Sequence, residues 1–257
     1  MQIKFLGTSS GWPLPRLGHH CDICDSTNPE DKRNRSQVLV NENILLDAGL
    51  DTYENLIKEL EPQKISAILI THGHPDHIFG LWDLGHLYDK KEKAKLFATK
   101  ETLKKIRQQG LGFEAPSEQI VETFKEYEIA GLKVLFFPVN HSKTTPACGI
   151  RLTDLKKSFV YIPDMSNLPE ESIIYAKSSQ VLIIDGSSLE PTGLKSWGHE
   201  TIPEGIKLSK KLKAKVIYFT HIGHGKISRP HKQLEQYVQE KGGANFHVAY
   251  DGLRLNL

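Results

Sequence analysis

The run Ile68-Leu69-Ile70-Thr71-His72-Gly73-His74-Pro75-Asp76-His77 constrains this chain more than any other stretch. An apolar, strand-like segment stops, and four potential ligands follow within six residues, with a glycine and a proline among them. Such a loop is tight and aims its side chains at a common point. Imidazole and carboxylate are ligands that suit zinc, manganese or iron. The alternative, a surface loop that is merely rich in histidine, has to contend with what lies downstream. His141 follows Phe136-Phe137-Pro138-Val139-Asn140, Asp164 follows Phe159-Val160-Tyr161-Ile162-Pro163, and His221 follows Val216-Ile217-Tyr218-Phe219-Thr220. Any one of these residues alone reads as a structural group. The same grammar repeated, strand and then ligand, points to one metal centre assembled at the ends of several strands.

The rest of the chain reads as a globular protein. Its 257 residues lie within the range of one large domain with a sizeable core, and residues 1–257 are expected to form a single domain. With 33 basic and 31 acidic side chains the net charge is +2, which gives no bulk attraction to nucleic acid or anionic membrane. The first residues have no signal-peptide order, and no apolar run approaches the roughly 20 residues that span a bilayer. Three cysteines cannot build a multi-disulfide scaffold, and Cys21 and Cys24 form a C-x-x-C. In a cytosolic protein, the compartment expected here, that spacing reads as metal or redox chemistry.

Apolar runs predict strands over 3–6, 38–40, 44–46, 67–70, 132–139, 149–152, 159–162, 181–184, 216–219 and 246–250. Helical spacing is expected over 52–60, 101–109, 169–176, 202–212 and 231–240. Strands come in groups with helices between the groups, so the pattern favours sheets inside and helices outside over a simple doubly wound sheet. The segment 187–198 holds Pro191, Gly193 and Gly198 with little periodicity and reads as a surface loop near His199.

With these residues on the page, the chain resembles the metallo-β-lactamase superfamily. The hallmark H-x-H-x-D-H at a strand end, followed by His, Asp and His at later strand ends, is present in order. The resemblance runs from Phe5-Leu6-Gly7-Thr8 through Leu45-Leu46-Asp47-Ala48-Gly49 to His221. It implies an α/β fold, the αββα sandwich, with two metal ions at one edge of the sheets. His72, His74 and His141 would hold one ion, Asp76, His77 and His221 the other, and Asp164 would bridge them; Asp76 is also expected to be catalytic. Two metals roughly 3.5–4 Å apart can clamp the attacking and leaving oxygens of an in-line displacement and hold a hydroxide near neutral pH.

Within the superfamily, Gly18-His19-His20-Cys21-Asp22-Ile23-Cys24 paired with Thr220-His221-Ile222-Gly223-His224 is similar to the PhnP-type cyclic phosphodiesterases and the related PqqB type. The resemblance implies a structural zinc on His19, Cys21, Cys24 and His224. Those families have a cysteine where His19 stands, and His20 is the alternative to His19. His199, in Trp197-Gly198-His199-Glu200-Thr201, matches the position of a general acid that protonates the leaving oxygen. Asn140-His141-Ser142-Lys143 also matches, which makes Ser142 and Lys143 candidates for substrate binding. The expected function is hydrolysis of a small, cyclic phosphodiester by a bridging hydroxide. The metals are zinc or manganese, with iron left open. A tRNA 3′-processing endonuclease of the tRNase Z type is the runner-up, and a non-catalytic carrier of the PqqB type is the third reading. Nucleic acid as a partner and a homodimer stay open; a membrane partner is not expected.

Other residues carry less. Asp47 resembles a carboxylate that orients a ligand histidine. Cys148, at the start of an apolar run, reads as a buried inert thiol. Gly7-Thr8-Ser9-Ser10-Gly11 lacks the ending of a nucleotide P-loop and is either a plain turn or part of the site's rim. His86, His231 and His247 have no partner pattern and read as surface or packing residues.

Overall fold

Alternation along the strands sorts the apolar residues into layers. In Ile44-Leu45-Leu46 the outer two side chains join one buried cluster and the middle one joins another, as the two-residue period of a strand requires. The computed structural model describes residues 1–59, 61–85, 94–111, 117–155, 157–189, 198–225 and 228–257. The first sheet contains β1 (Gln2–Gly7), β2 (Gln37–Val40), β3 (Ile44–Leu46), β4 (Ala67–Leu69), β5 (Lys95–Ala98) and β6 (Ser117–Ile120). The second contains β7 (Glu126–Ile129), β8 (Leu132–Val139), β9 (Ala147–Asp154), β10 (Lys157–Ile162), β11 (Val181–Asp185), β12 (Val216–Thr220) and β13 (Phe246–Val248). The last strand, β14 (Arg254–Asn256), returns to the first sheet beside β1.

The sheet orders are β14-β1-β2-β3-β4-β5-β6 and β13-β12-β11-β10-β9-β8-β7. Each sheet has three consecutive antiparallel pairings, starting at β14 in the first and at β7 in the second, followed by three parallel ones. Between the sheets lies a core that includes Phe5, Leu46, Leu69, Phe136, Ile150, Phe159 and Tyr161. The outer face of the first sheet packs against α1 (Thr52–Leu56), α2 (Pro75–Ile78), α3 (Leu81–Gly85) and α4 (Lys100–Gln108) through residues such as Ile68, Leu81 and Ile106. The second sheet is covered by α5 (Glu170–Ala176), α6 (Ile202–Leu212) and α7 (His231–Gly242) through Ile184, Ile206 and Val238. This is the expected αββα sandwich.

Boundaries differ where local chemistry outweighs periodicity. Pro169 is the N-cap of α5 rather than its first turn, because its extended ψ of 149° precedes the helix. The helix expected over 52–60 closes at Leu56, and residue 60 lies outside the described residues. The strands β5, β6, β7 and β14 were not anticipated. The last three are edge strands or their immediate equivalents, short and polar on the solvent side, as edges tend to be. Among the described residues no helix is long and apolar enough to cross a membrane.

Candidate metal centre

The ligands stand just past the ends of strands. Past β4, the chain delivers His72 and His74, then Pro75 opens α2, whose first turn carries Asp76 and His77. His141 follows β8, Asp164 follows β10 and His221 follows β12. Two positions here have left-handed backbone, Asp47 at φ 60° and His221 at φ 56°. Non-glycine residues rarely adopt that region, and strain of this kind concentrates at functional sites.

The side chains gather in two adjoining sets, His72, His74, His141 and Asp164, and Asp76, His77, Asp164 and His221. In the first, His74 Nδ1 lies 3.0 Å from both His72 Nε2 and His141 Nε2. Asp164 Oδ2 is 3.5 Å from His72 Nε2 and 3.7 Å from His141 Nε2. In the second, His77 Nε2 is 3.3 Å from Asp76 Oδ2 and 3.5 Å from Asp164 Oδ2. His221 Nε2 lies 3.1 Å from Asp164 Oδ1 and 3.5 Å from Asp76 Oδ2. A tetrahedron of ligands about 2.0–2.1 Å from a zinc ion has edges of about 3.3–3.4 Å, so these separations are those of ligand atoms around a small cation. The buried atoms His77 Nε2, Asp164 Oδ1 and His221 Nε2 have no hydrogen-bond partner. Orphaned buried polar atoms are costly, and a cation shared among them satisfies all three. The donor set therefore fits two divalent metal ions, with Asp164 common to both groups.

Electrostatics divides the two halves. Burial, reinforced by the charge of His77, holds His72 well below the usual imidazole range, and burial with His141 holds His74 at about 4. Burial also lowers His141. All three shifts favour the neutral ring, the form that binds metal. Burial opposes charge on His77, but Asp164, Asp76 and Asp47 overcome it and hold the ring well above its ordinary range. Burial likewise works against the Asp76 and Asp164 carboxylates, while His77 and His221 keep both well below the usual carboxylate range.

A surrounding shell of hydrogen bonds sets the rings. Asp47 Oδ2 is 2.8 Å from His77 Nδ1, and Asp47 accepts from Thr71 N at 2.8 Å and from Tyr161 OH at 3.2 Å. His141 Nδ1 donates to Gly198 O at 2.7 Å. Ser187 Oγ sits 2.9 Å from His221 Nδ1 and donates to Asp185 Oδ1 at 2.5 Å. Asp185 also accepts from Ser187 N and Met165 N and lies 2.9 Å from His199 Nδ1. The His199 ring centre is 5.0 Å from those of both His141 and His221. Burial pulls His199 down, yet the adjacent Asp185 carboxylate more than reverses this and lifts it to about 9.

A cleft of about 540 Å³ opens onto this centre. His74, Asp76, Asp164, His199 and His221 line it, together with Ser10, Gly11, Trp12 and Arg16. Ser10 and Gly11 thus place the first turn on the rim. Neither Ser142 nor Lys143 is among the described residues lining the cleft: Ser142 Oγ pairs with Thr144 Oγ1 at 3.1 Å, and Lys143 is exposed.

At the cleft's far wall a second cluster joins His19, Cys21, Cys24 and His224. His224 Nε2 is 3.2 Å from Cys21 Sγ and 3.7 Å from Cys24 Sγ, and the His19 and His224 rings meet edge-on at 4.7 Å. His20 instead faces solvent and pairs with Asp25 at 3.0 Å, so His19 is the residue brought to the thiols. Burial raises Cys24 and lowers His224. Cys148 is buried in the inter-sheet core, and burial pushes its thiol to about 12. His231 is buried and lies 2.9 Å from Arg33, and His247 pairs with Glu235; His86 lies outside the described residues, as does the segment 190–197.

Asp185 is the residue that sequence reasoning passed over. It follows the apolar run Val181–Ile184 in the same strand-then-polar grammar as Asp164, so the signal was there. Trp12 and Arg16 carried no pattern that marks a cleft.

Comparison with known proteins agrees with this geometry. The family model for the beta-lactamase superfamily domain matches residues 42–222. An octanoyltransferase of Porphyromonas gingivalis is 26% identical over 98% of this chain, but the chain spans only 51% of that protein. A ribonuclease Z of Thermococcus sibiricus is 23% identical, with 82% of this chain and 86% of that protein covered. Among solved structures, a diphosphatase from the PhnP family superposes with a TM-score of 0.86 at 29% identity, covering 100% of this chain and 97% of that one. Zinc-bound PqqB from Methylobacterium extorquens superposes at 0.83 with 21% identity and full coverage of both chains, a likeness of fold. The chain therefore belongs to the beta-lactamase superfamily.

Proposed function

We propose that this chain hydrolyses a small phosphodiester, a cyclic one best of all, using two divalent metal ions and His199 as general acid. The observation that carries this reading is the His199–Asp185 pair, 2.9 Å apart, which places His199 in the cleft that His74, Asp76, Asp164 and His221 of the clustered ligands also line. His72, His74 and His141 would hold one ion, Asp76, His77 and His221 the other, and Asp164 would reach both. When bound, such ions supply hydroxide near neutral pH and neutralise charge on phosphoryl oxygens. Zinc and manganese both suit the donor set, and iron is compatible with it.

The chain's own residues do the rest. Asp185 fixes the His199 ring through Nδ1 and favours its protonated form, so a proton donor stands in the cleft. Cations bound nearby would act in the opposite sense and lower that imidazole toward the range where a general acid works best. An alkoxide is a poor leaving group and needs that proton. The Cys21–Cys24–His19–His224 cluster would hold a structural zinc, since mixed thiolate and imidazole ligands form closed tetrahedral sites.

The leaving group is the test. In a His199→Ala variant, a diester with an alkoxide leaving group should lose roughly 100- to 10,000-fold in rate. A p-nitrophenyl diester should lose much less, because p-nitrophenolate leaves without help. Metal content should stay unchanged. Equal losses on both substrates, or a missing ion, would show that His199 organises the site instead of donating a proton. A panel of ribose 1,2-cyclic phosphate, 2′,3′-cyclic nucleotides, a nucleoside diphosphate and precursor tRNA ranks the substrate classes. The name of the 29%-identical neighbour favours the diphosphate, and the ribonuclease Z relatives favour an RNA. Turnover of neither class by metal-loaded protein would leave the carrier reading.

A further inference from the structure

We infer that Trp12 and Arg16 form a recognition platform for a nucleobase, so that the substrate of this cleft is a nucleotide; the inference rests on the phosphodiesterase reading for the chemistry next to it. Trp12 lines the cleft with the metal-centre residues and yet is 63% exposed. An indole is a large apolar surface, normally withdrawn from water, and here it stands open beside a polar, phosphate-directed site. It is also close to the chemistry. A Cβ added to the preceding residue, Gly11, would lie 3.3 Å from Asp76 Oδ2, so the turn that carries Trp12 packs directly on a ligand carboxylate.

The turn is held in place rather than left loose. Ser9 Oγ donates to Trp12 O at 2.6 Å, and Ser9 N donates to Asn34 O at 2.7 Å. Arg16 lies over the Trp12 ring, with its guanidinium carbon 5.6 Å from the ring centre. Arg16 is in turn tied to the Cys/His cluster: its backbone N–H donates to Cys24 Sγ at 3.4 Å and its Nη1 donates to His224 O at 3.3 Å. It is the one lysine or arginine among the described residues lining the cleft.

A planar aromatic face plus a permanent cation, placed next to phosphate chemistry, is what nucleotide recognition requires. Every base offers a π-face to stack on an aromatic ring, and a guanidinium adds cation–π attraction and an anchor for phosphate oxygens. A bare sugar phosphate has no aromatic face to stack on the indole. The Cys/His cluster acquires a role in this arrangement: it fixes the arginine that covers the tryptophan, and so forms the specificity wall of the cleft.

The chain has three tryptophans, so emission from Trp12 can be isolated by substitution. Zinc-loaded protein is titrated with adenosine 5′-monophosphate and, separately, with ribose 5-phosphate. The expected result is tighter binding of the nucleotide by about 5- to 150-fold, the range that one base–aromatic stack supplies. Nucleotide binding should quench emission in the native protein and not in Trp12→Phe, which keeps the nucleotide preference. Trp12→Ala should lose that preference, and its ratio of kcat/KM for 2′,3′-cyclic AMP over ribose 1,2-cyclic phosphate should fall by a similar factor, carried by KM. Equal affinity for the two phosphates, or a quench that survives in Trp12→Phe, overturns the platform. Trp12-dependent nucleotide binding without turnover of any diester upholds the platform and overturns the phosphodiesterase reading instead.

Discussion

Asp47 shows how much a single residue can carry. Its carboxylate is fully buried and left-handed in backbone, and it bonds the Thr71 amide, the Thr71 hydroxyl, the Tyr161 hydroxyl and the His77 ring. One side chain thereby fixes the start of the ligand loop and the tautomer that presents His77 Nε2 to the metal centre. Asp47→Asn keeps the size but replaces an acceptor oxygen with a donor that must face another donor. Loss of such an orienting carboxylate commonly lowers metal affinity about 10- to 100-fold. Competition against a graded series of chelators should show that loss at the binuclear centre, with the Cys/His cluster as the internal control. Unchanged retention at both sites would remove Asp47 from this role. Its place was read in the sequence through the family resemblance at Leu45-Leu46-Asp47. Tyr161 was not, since a tyrosine inside an apolar strand looks the same whether its hydroxyl serves the core or the site.

Elements were legible in proportion to how deeply they are buried. Central strands such as β4, β8, β10 and β12 announce themselves as apolar runs, and the ligands are found where those runs end. Edge strands such as β6, with the sequence Ser117-Glu118-Gln119-Ile120, are covered on too few sides to need apolar residues. The strand β14 escaped for the same reason: Leu255 and the flanking Leu253 and Leu257 pack on the core only in part, and polar groups help to dock it. Asp251, just before it, accepts from Thr8 Oγ1 at 2.7 Å and from Asn34 N at 2.6 Å, and buried Arg33 donates to the same Thr8 hydroxyl at 2.7 Å. Burial lifts the Asp251 carboxyl from 3.8 to about 6, although the Asn34 and Thr8 bonds and Arg33 pull the other way. The folded chain thus keeps a proton that the unfolded chain releases. The associated stability is present below about pH 3.8 and is lost as pH rises to about 6. Asp251→Asn removes that dependence. Urea midpoints at pH 4.5 and 7.0, with both proteins in the same metal state, should favour the native chain over the variant more at the lower pH. A difference that is constant, or larger at pH 7.0, would show that Asp251 is not protonated in the folded chain.

At the scale of the molecule, metal ions held by these residues would clamp the two sheets together at one edge. Both sheets share one order of pairings, which no repeated segment betrays, because a pairing order constrains only the spacing of apolar residues. His72, His74, Asp76 and His77 come from the first sheet, and His141, Asp164 and His221 from the second. Without cations, the edge where they meet holds three unpaired buried polar atoms and several closely spaced rings and carboxylates. Metal binding is then also folding free energy. Elemental analysis of carefully prepared protein should return close to three ions per chain, two at the binuclear centre and one at the Cys/His cluster. Chelation should lower the melting temperature, and hydrogen exchange should rise first at the ends of β4, β8, β10 and β12. The inter-sheet core around Phe5 and Phe136 should stay protected. A Cys21→Ser, Cys24→Ser variant should lose one ion only, with a lower melting temperature and increased exchange near the thiol loop and His224. If complete removal of metal leaves both the melting temperature and the exchange pattern unchanged, the sheets hold this edge together by themselves and the clamp is wrong.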